Sequence, residues 1–194
     1  MATFAMSEAL TIILKRNDPS AVAKQVSLTE LGSIKINKEE RGKMLKAIPR
    51  NSVIGFLIGV LPGAGATIAS FLAYGMERNF VSDEEKEKFG KGSVHGLTAP
   101  ETANNAACSG AFVPLLTLGI PGSGTTAVML GALLGFGIQP GPRLYITNPE
   151  IFWSVIMSMY IGMVVLLILN LPLIPYIARI LAVPKNYLIP LILF

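Results

Sequence analysis

The sequence predicts an all-α, polytopic integral membrane protein with discontinuous or re-entrant helices, and three observations lead to this fold class. The chain of 194 residues is 52% hydrophobic and only 14% charged, whereas soluble domains usually carry about a quarter charged residues. Two long stretches, Asn51 to Met76 and Thr102 to Pro142, contain no charged residue, and a membrane-spanning helix needs roughly 20 apolar residues. Each stretch is interrupted near its middle by proline and glycine, which are poor helix formers.

Both ends of the chain are apolar and short. Residues 1–14 are typical of the end of a membrane helix, because the basic pair Lys15-Arg16 follows the apolar run instead of preceding it as in a signal peptide. Residues 187–194 begin another apolar segment, which is too short to cross a bilayer. The two ends therefore predict a truncated piece of a longer membrane protein.

Residues 15–50 form a polar segment that carries nine of the sixteen basic residues. Such enrichment beside a membrane segment is typical of a cytoplasmic loop, so the net charge of +4 does not indicate nucleic-acid binding. Asn37 and Glu40 have the spacing of a capping box. They predict a short helix from Lys38 to Ile48, which Pro49 would end.

The first broken membrane segment, residues 51–76, has the sequence Leu61-Pro-Gly-Ala-Gly-Ala-Thr67 at its centre. Each half has about ten residues and would be about 15 Å long as a helix, which is half of a hydrocarbon core roughly 30 Å thick. The break is therefore expected near the bilayer midplane. Two arrangements remain open, a broken spanning helix and a re-entrant hairpin.

The second broken segment, residues 102–142, follows a polar loop at residues 77–101. Its centre reads Ile120-Pro-Gly-Ser-Gly-Thr-Thr126, which aligns proline for proline and glycine for glycine with the first break. The preceding Ala99-Pro100-Glu101 is expected to open the helix, since proline and glutamate are both favourable in a first turn. Residues 151–178 then predict a further membrane helix.

Paired helix interruptions are typical of the substrate site of a secondary transporter. Irregular backbone is tolerated at membrane depth only where it is buried in protein or lines an aqueous cavity. Helix N-termini at the breaks would direct unpaired N–H groups toward an anionic substrate, and nearby hydroxyl groups would add donors. The alternative is a pair of kinks that serve only helix packing. The predicted substrate-binding residues are Gly63, Ala64, Gly65, Thr67, Asn104, Asn105, Gly122, Ser123, Gly124, Thr125 and Thr126.

Glu101 is the candidate residue for ion coupling, because it lies three and four residues before Asn104 and Asn105 and would share a helix face with them. The alternative is a glutamate at the membrane interface. His95, the only histidine, has no acidic or thiol neighbour at ligand spacing and is interpreted as a loop residue. The sequence predicts no enzyme activity, no metal site and no cofactor other than a coupling cation, either a proton or sodium.

The broken segments resemble one family, the large membrane subunit of the tripartite tricarboxylate transporters. The resemblance is strong from about residue 50 to residue 145. It rests on Gly55-x-x-x-Gly59-x-Leu-Pro-Gly-Ala-Gly-Ala66, Phe89-Gly90-x-Gly92, Ala99-Pro-Glu-x-Ala-Asn-Asn-Ala106, Pro114-x-x-Thr-Leu-Gly-Ile-Pro-Gly-Ser123, Leu130-Gly-Ala-Leu133 and Gln139-Pro-Gly-Pro142.

The resemblance implies uptake of carboxylates by symport across a bacterial inner membrane, as a multi-pass protein in the lipid bilayer. It implies two protein partners, a periplasmic substrate-binding protein and a small membrane subunit, and carries the transport role onto the two glycine-rich breaks. Family members are longer, so the chain is expected to be the central part of their second half. The alternative is a truncated membrane module with a structural or assembly role and no transport by itself.

Overall fold

The computed structural model describes residues 36–178, and all regular structure in this range is helical, which confirms the predicted all-α class there. The predictions for residues 1–14 and 187–194, and for most of the 15–50 loop, lie outside the described residues. In chain order the helices are α1 (Lys38–Val60), α2 (Gly65–Phe80), α3 (Asp83–Lys86), α4 (Val94–Gly110), α5 (Phe112–Leu118), α6 (Gly124–Gly135), α7 (Leu144–Thr147) and α8 (Pro149–Ala178).

Helix α1 begins at the predicted capping box, where the backbone N–H of Asn37 donates to Glu40 Oε2 at 2.8 Å. The prediction that Pro49 ends this helix is wrong, because α1 continues through Pro49 to Val60. Proline removes only one backbone hydrogen bond from the helix. The part of α1 after Pro49 stays helical because one of its faces, with Asn51, Gly55 and Gly59, is buried by packing.

The core of this unit is formed by α1, α2 and α4, which pack through small side chains. Ala69 and Ala73 of α2 and Ala103 and Ala107 of α4 are almost completely buried in one cluster. Gly59 of α1 lies against α4, and a Cβ added there would lie 2.6 Å from Ala107 Cα. Small residues permit such close approach of helix backbones, as in helix pairs in membranes.

The chain turns back on itself at the first break, because α1 and α2 are antiparallel neighbours. Arg50 stands immediately before the uncharged stretch and Glu77 immediately after it, yet their side chains form an ion pair at 2.5 Å. Of the two arrangements left open by the sequence, the structure therefore contains the hairpin. We call α1 and α2 together the hairpin, and the Arg50–Glu77 end its open end.

Within residues 36–178, α8 is the helix that is long and apolar enough to cross a membrane. The most apolar 18-residue window within Pro149–Ile174 has a mean hydropathy of 2.4, and none of that window is buried. The described residues fall into two compact units, 36–158 and 159–178, and α8 contributes to both. The polytopic membrane arrangement stays a prediction from the sequence.

Candidate functional site at the helix breaks

The first break lies between the end of α1 at Val60 and the start of α2 at Gly65. Gly63 and Gly65 have φ angles of 83° and 68°, a backbone conformation that glycine adopts without steric cost. No side chain caps the N-terminus of α2. The first-turn N–H groups of a helix lack partners within the helix. The first turn of α2 therefore presents N–H donors from which an anion can accept hydrogen bonds.

A cavity of about 400 Å³ lies along the side of α2, from Thr67 in its first turn to Tyr74. Its volume falls in the range of small-molecule sites, roughly 300–1,000 Å³. The cavity is lined by one face of α2 and one face of α4, namely Thr67, Ser70, Phe71, Tyr74, Pro100 and Asn104. The structure thus brings together Thr67 and Asn104, two of the predicted substrate-binding residues that are distant in sequence.

The polar side chains that line the cavity differ in whether they already form hydrogen bonds. The Ser70 hydroxyl has two acceptors within reach, the carbonyl of Ala66 at 3.0 Å and that of Pro100 at 3.2 Å, so it ties α2 to α4. The side-chain amide of Asn104 and the hydroxyl of Thr67 have no hydrogen-bond partner within residues 36–178. These two side chains are therefore available to a ligand.

Glu101 and Asn105 do not line this cavity. Asn105 Nδ2 donates to the backbone carbonyl of Glu101 at 2.9 Å, and both residues are exposed. Glu101 also lies inside α4 and not at its start, because α4 begins at Val94, where Ser93 Oγ accepts from the Gly96 N–H at 3.1 Å. The expected opening of the helix at Ala99 was wrong, since the Ser93 cap starts the helix earlier. The coupling role of Glu101 stays a prediction.

At the second break, several backbone groups at the two helix ends form hydrogen bonds within the chain. On its first side, the N–H groups of Gly119 and Ile120 donate to the carbonyls of Leu115 and Pro114 at 3.0 and 3.1 Å, and Gly119 has a left-handed φ of 69°. This is an αL ending, in which the C′ glycine donates to the carbonyl four residues before it. The carbonyls of Pro114 and Leu115 are therefore already occupied, and that of Leu116 accepts from the Gly141 N–H at 3.2 Å.

On the other side of the second break, Ser123 caps α6. The Thr126 N–H donates to Ser123 Oγ at 3.2 Å, and the Ser123 N–H donates to Thr126 Oγ1 at 2.8 Å. The two hydroxyls predicted to bind substrate thus bind each other's backbone, and Thr126 is only 3% exposed. Gly124 and Thr125 are exposed, whereas Gly122 is buried against Ala111.

Ser123→Ala is expected to destabilise the start of α6 by about 0.5–2 kcal/mol, because the helix loses its N-cap. The measurement is hydrogen exchange at the Thr126 amide, which should accelerate. Thr125→Ala is the matched control, since Thr125 is exposed and makes no side-chain hydrogen bond within the described residues. Equal exchange at Thr126 in the two variants would contradict the capping role.

The two breaks lie close to each other. A Cβ added at Gly122 would be 3.6 Å from the carbonyl oxygen of Gly59, in the last turn of α1 before the first break. A Cβ at Gly110 would likewise meet the backbone of Phe56 and Val60. The second break therefore packs beside the last turn of α1, while the cavity lies along the helix that follows the first break.

A family model for the tripartite tricarboxylate transporter TctA family matches residues 1–194. The chain belongs to the TctA family. It is 39% identical over 177 residues to an uncharacterized 52.8 kDa protein in the TAR-I ttuC' 3'region of Agrobacterium vitis, covering 91% of this chain and 35% of that protein. It is 46% identical over 138 residues to an uncharacterized protein in the TAR-II ttuC' 3'region of the same organism, covering 71% of this chain and 56% of that protein.

This TctA-family chain thus spans between about a third and just over half of the length of these two relatives. No solved structure matches it. Within the described residues of this TctA-family chain, no group of histidine, cysteine, aspartate and glutamate side chains is arranged to hold a metal ion.

Sequence reasoning missed one polar cluster of this TctA-family chain, at the open end of the hairpin. Glu77 is completely buried and receives hydrogen bonds from Arg50 Nε at 3.0 Å and Asn51 Nδ2 at 2.8 Å. His95 Nδ1 lies 2.8 Å from the same carboxylate. The interpretation of His95 as a loop residue is wrong, because it lies in the first turn of α4 and is 8% exposed. The signal in the sequence was the pair of opposite charges that border the uncharged stretch.

Burial raises the pKa of Glu77, but the hydrogen bonds from Arg50, Asn51 and His95 and the charge of Arg50 outweigh that effect and lower it. Glu77 is therefore ionised at neutral pH. An ionised carboxylate has about four acceptor positions, and these donors occupy them. We call Arg50, Asn51, Glu77 and His95 the buried cluster.

Proposed function

We propose that this chain forms part of the membrane-embedded pathway of an ion-coupled secondary transporter for tricarboxylates or related carboxylates. In this proposal it acts in a bacterial inner membrane together with a periplasmic substrate-binding protein and a small membrane subunit. Membership of the TctA family supports the transport role. The substrate, the coupling ion and the partners belong to the proposal.

The observation that carries the proposal is the cavity between α2 and α4, whose lining begins at Thr67 in the uncapped first turn of α2. A carboxylate needs hydrogen-bond donors, and the first-turn N–H groups and partial positive charge of a helix N-terminus supply them. Thr67 and Asn104 add a hydroxyl and an amide from two different helices. None of the lining residues is charged, so the substrate would be held by dipoles and neutral donors.

The hairpin suits a site at membrane depth. Its uncharged arms, from Asn51 to the break and from the break to Met76, each have about ten residues, which corresponds to about 15 Å of helix. Arms of that length reach about halfway into a hydrocarbon core roughly 30 Å thick. We propose that the first break lies near the midplane as the tip of a re-entrant hairpin, where transporters bind their substrates.

The proposal is tested by uptake of radiolabelled citrate into membrane vesicles that contain either this chain alone or the complete set of transporter subunits. Uptake with the complete set supports the proposed function. The same assay with a panel of other labelled di- and tricarboxylates identifies the substrate. If no carboxylate is taken up with the complete set, the transport proposal fails and a structural or assembly role is favoured.

Asn104→Ala in the complete transporter is expected to weaken carboxylate binding, since a hydrogen bond to a charged group contributes about 1.5–3 kcal/mol. Uptake at subsaturating substrate should fall about tenfold or more. Asn105→Ala is the matched control, because Asn105 is the next residue of α4, is exposed and does not line the cavity. Equal loss in both variants would argue against this cavity as the substrate site.

A further inference from the structure

The buried cluster is separate from the candidate substrate site and contains the only histidine of the chain. It joins three helices, because Arg50 and Asn51 belong to α1, Glu77 to α2 and His95 to α4. Arg50 Nη2 and His95 Nδ1 both contact the same oxygen, Glu77 Oε1, at 2.5 and 2.8 Å. Two donors from different helices thus share one acceptor.

The geometry identifies the nitrogen of His95 that can bind a proton. An ionised carboxylate only accepts hydrogen bonds, so the contact between His95 Nδ1 and Glu77 requires the proton to be on Nδ1. In the neutral imidazole Nε2 is then the basic nitrogen. In the charged imidazolium both ring nitrogens carry a proton, so Nε2 is where a proton would enter the cluster.

A proton at Nε2 changes the charge balance of the cluster. With neutral imidazole, the charges of Arg50 and Glu77 cancel, whereas with imidazolium two cations share a single buried carboxylate. Uncompensated charge is costly in a buried site. The Arg50 side chain is 32% exposed and that of His95 is 10% exposed, so Arg50 is the cation that can turn toward solvent. Its guanidinium already lies over the Phe80 ring, 4.4 Å from the centroid.

Two other basic side chains, from α1 and from the segment after α3, form ion pairs with carboxylates outside the buried cluster. Lys43 binds Glu39 at 2.8 Å and Glu85 at 3.0 Å, and Lys88 also binds Glu85. Among the charged residues that the structure describes, Arg50 and Glu77 are those with contacts in the buried cluster. Asn51 Oδ1 is buried and receives no hydrogen bond. With His95 neutral, the cluster therefore has one acceptor without a donor.

We propose that His95 Nε2 is a proton-binding site, and that the bound proton displaces Arg50 from Glu77 and loosens the open end of the hairpin. Tyr74, which lines the cavity, precedes Glu77 by one turn of α2, so this loosening shifts a wall of the cavity. The use of this proton to drive carboxylate uptake rests on the function proposed above. Proton binding itself does not rest on it.

The first test is a ¹⁵N NMR titration of the whole chain in lipid nanodiscs, where the single histidine gives an unambiguous signal. At high pH we expect protonated Nδ1 and unprotonated Nε2, with Nε2 becoming protonated as the pH is lowered. The Nε–H signal of Arg50 should shift with the same midpoint. A histidine that binds no proton before the chain unfolds, or an Arg50 signal that does not follow it, would overturn the proposal.

The competition for Glu77 is tested with Arg50→Gln. Without the arginine, Glu77 is left to the imidazolium, so the midpoint of the His95 titration should move to higher pH. Lys43→Gln is the matched control and should leave the midpoint unchanged, because Lys43 binds other carboxylates. An unchanged midpoint in Arg50→Gln would show that the two cations do not compete.

The role in transport is tested with His95→Asn in the complete transporter, since the asparagine amide can replace Nδ1–H as the donor to Glu77 but binds no proton. With one coupled proton, an imposed pH gradient raises wild-type accumulation by up to about tenfold per pH unit. His95→Asn should lose this stimulation, and a variant stimulated like the wild type would overturn the coupling role. If the wild type takes up no carboxylate, the proposed function fails, while the NMR titration still decides proton binding.

Discussion

Glu77→Gln is expected to lower the free energy of unfolding by about 3–5 kcal/mol, the usual effect of removing one partner from a buried ion pair. The glutamine leaves the guanidinium of Arg50 without its counter-charge. The substitution also replaces one carboxylate oxygen, which accepts hydrogen bonds, with an amide NH₂ group, which donates them. Because Arg50, Asn51 and His95 all donate toward Glu77, this NH₂ group would face other donors. The measurement is thermal or denaturant unfolding in detergent, followed by circular dichroism at 222 nm.

Glu84→Gln is the control for this prediction, because Glu84 is an exposed glutamate in the short helix α3. Its unfolding free energy should stay within about 0.5 kcal/mol of the wild-type value. If Glu77→Gln changed stability as little as Glu84→Gln, the buried cluster would not hold the hairpin together.

The stabilising effect of Glu77 should also depend on pH. Because the pKa of Glu77 in the folded protein is lowered below its ordinary value of 4.5, the part of the stabilisation that comes from the ionisation of Glu77 itself is fully present above that value. It is lost as the pH falls through the lower folded pKa, since the unfolded state then binds more protons. The stability difference between wild type and Glu77→Gln should therefore shrink below about pH 4.5, as unfolding at several pH values would show.

Gly59→Leu is expected to separate α1 from α4 and to cost more than the roughly 1–3 kcal/mol typical of an overpacked core. Even the Cβ would meet the backbone carbonyl oxygen and the Cα of Ala107, and backbone atoms cannot rotate away as a side chain can. The rest of the leucine would then displace α4, which carries one wall of the cavity. Unfolding experiments measure the cost, and the carboxylate uptake assay measures the effect on the site.

Gly42→Leu is the matched control because Gly42 lies in the same helix but has no atom within 4 Å of an added Cβ. Leucine favours helix more than glycine by several tenths of a kcal/mol, so this control should be neutral or slightly stabilising. A similar loss of stability at both positions would mean that the small residues of α1 do not set its contact with α4.

Local chemistry explains what could be predicted. The capping box at Asn37 and Glu40 is the start of α1, and both aligned proline-glycine sequences interrupt helices. These features depend on residues within a few positions of each other, so the sequence contains their cause. Boundaries that depend on packing were less predictable: Pro49 lies inside α1 because the burial of Gly55 and Gly59 offsets its lost hydrogen bond.

The candidate site was predictable only in part for the same reason. Thr67 and Asn104, two residues that the sequence predicts to bind the same substrate, line one cavity. The equivalence of the two breaks was not preserved, because Ser123 and Thr126 cap α6 while no side chain caps α2. In sequence the two breaks look alike. The difference arises from an alanine at the N-cap of α2, Ala64, in the place where α6 has Ser123.

The sequence by itself determined the helical class, the positions of the two breaks and the membership of a transporter family, since proline, glycine and long uncharged runs act locally. Only the tertiary structure decided that the first segment folds back as a hairpin. It also decided that Arg50, Glu77 and His95 meet at its open end. The physical reason is that glycine and alanine faces let α1, α2 and α4 approach closely, and this approach brings together charges that are separated by long stretches of chain.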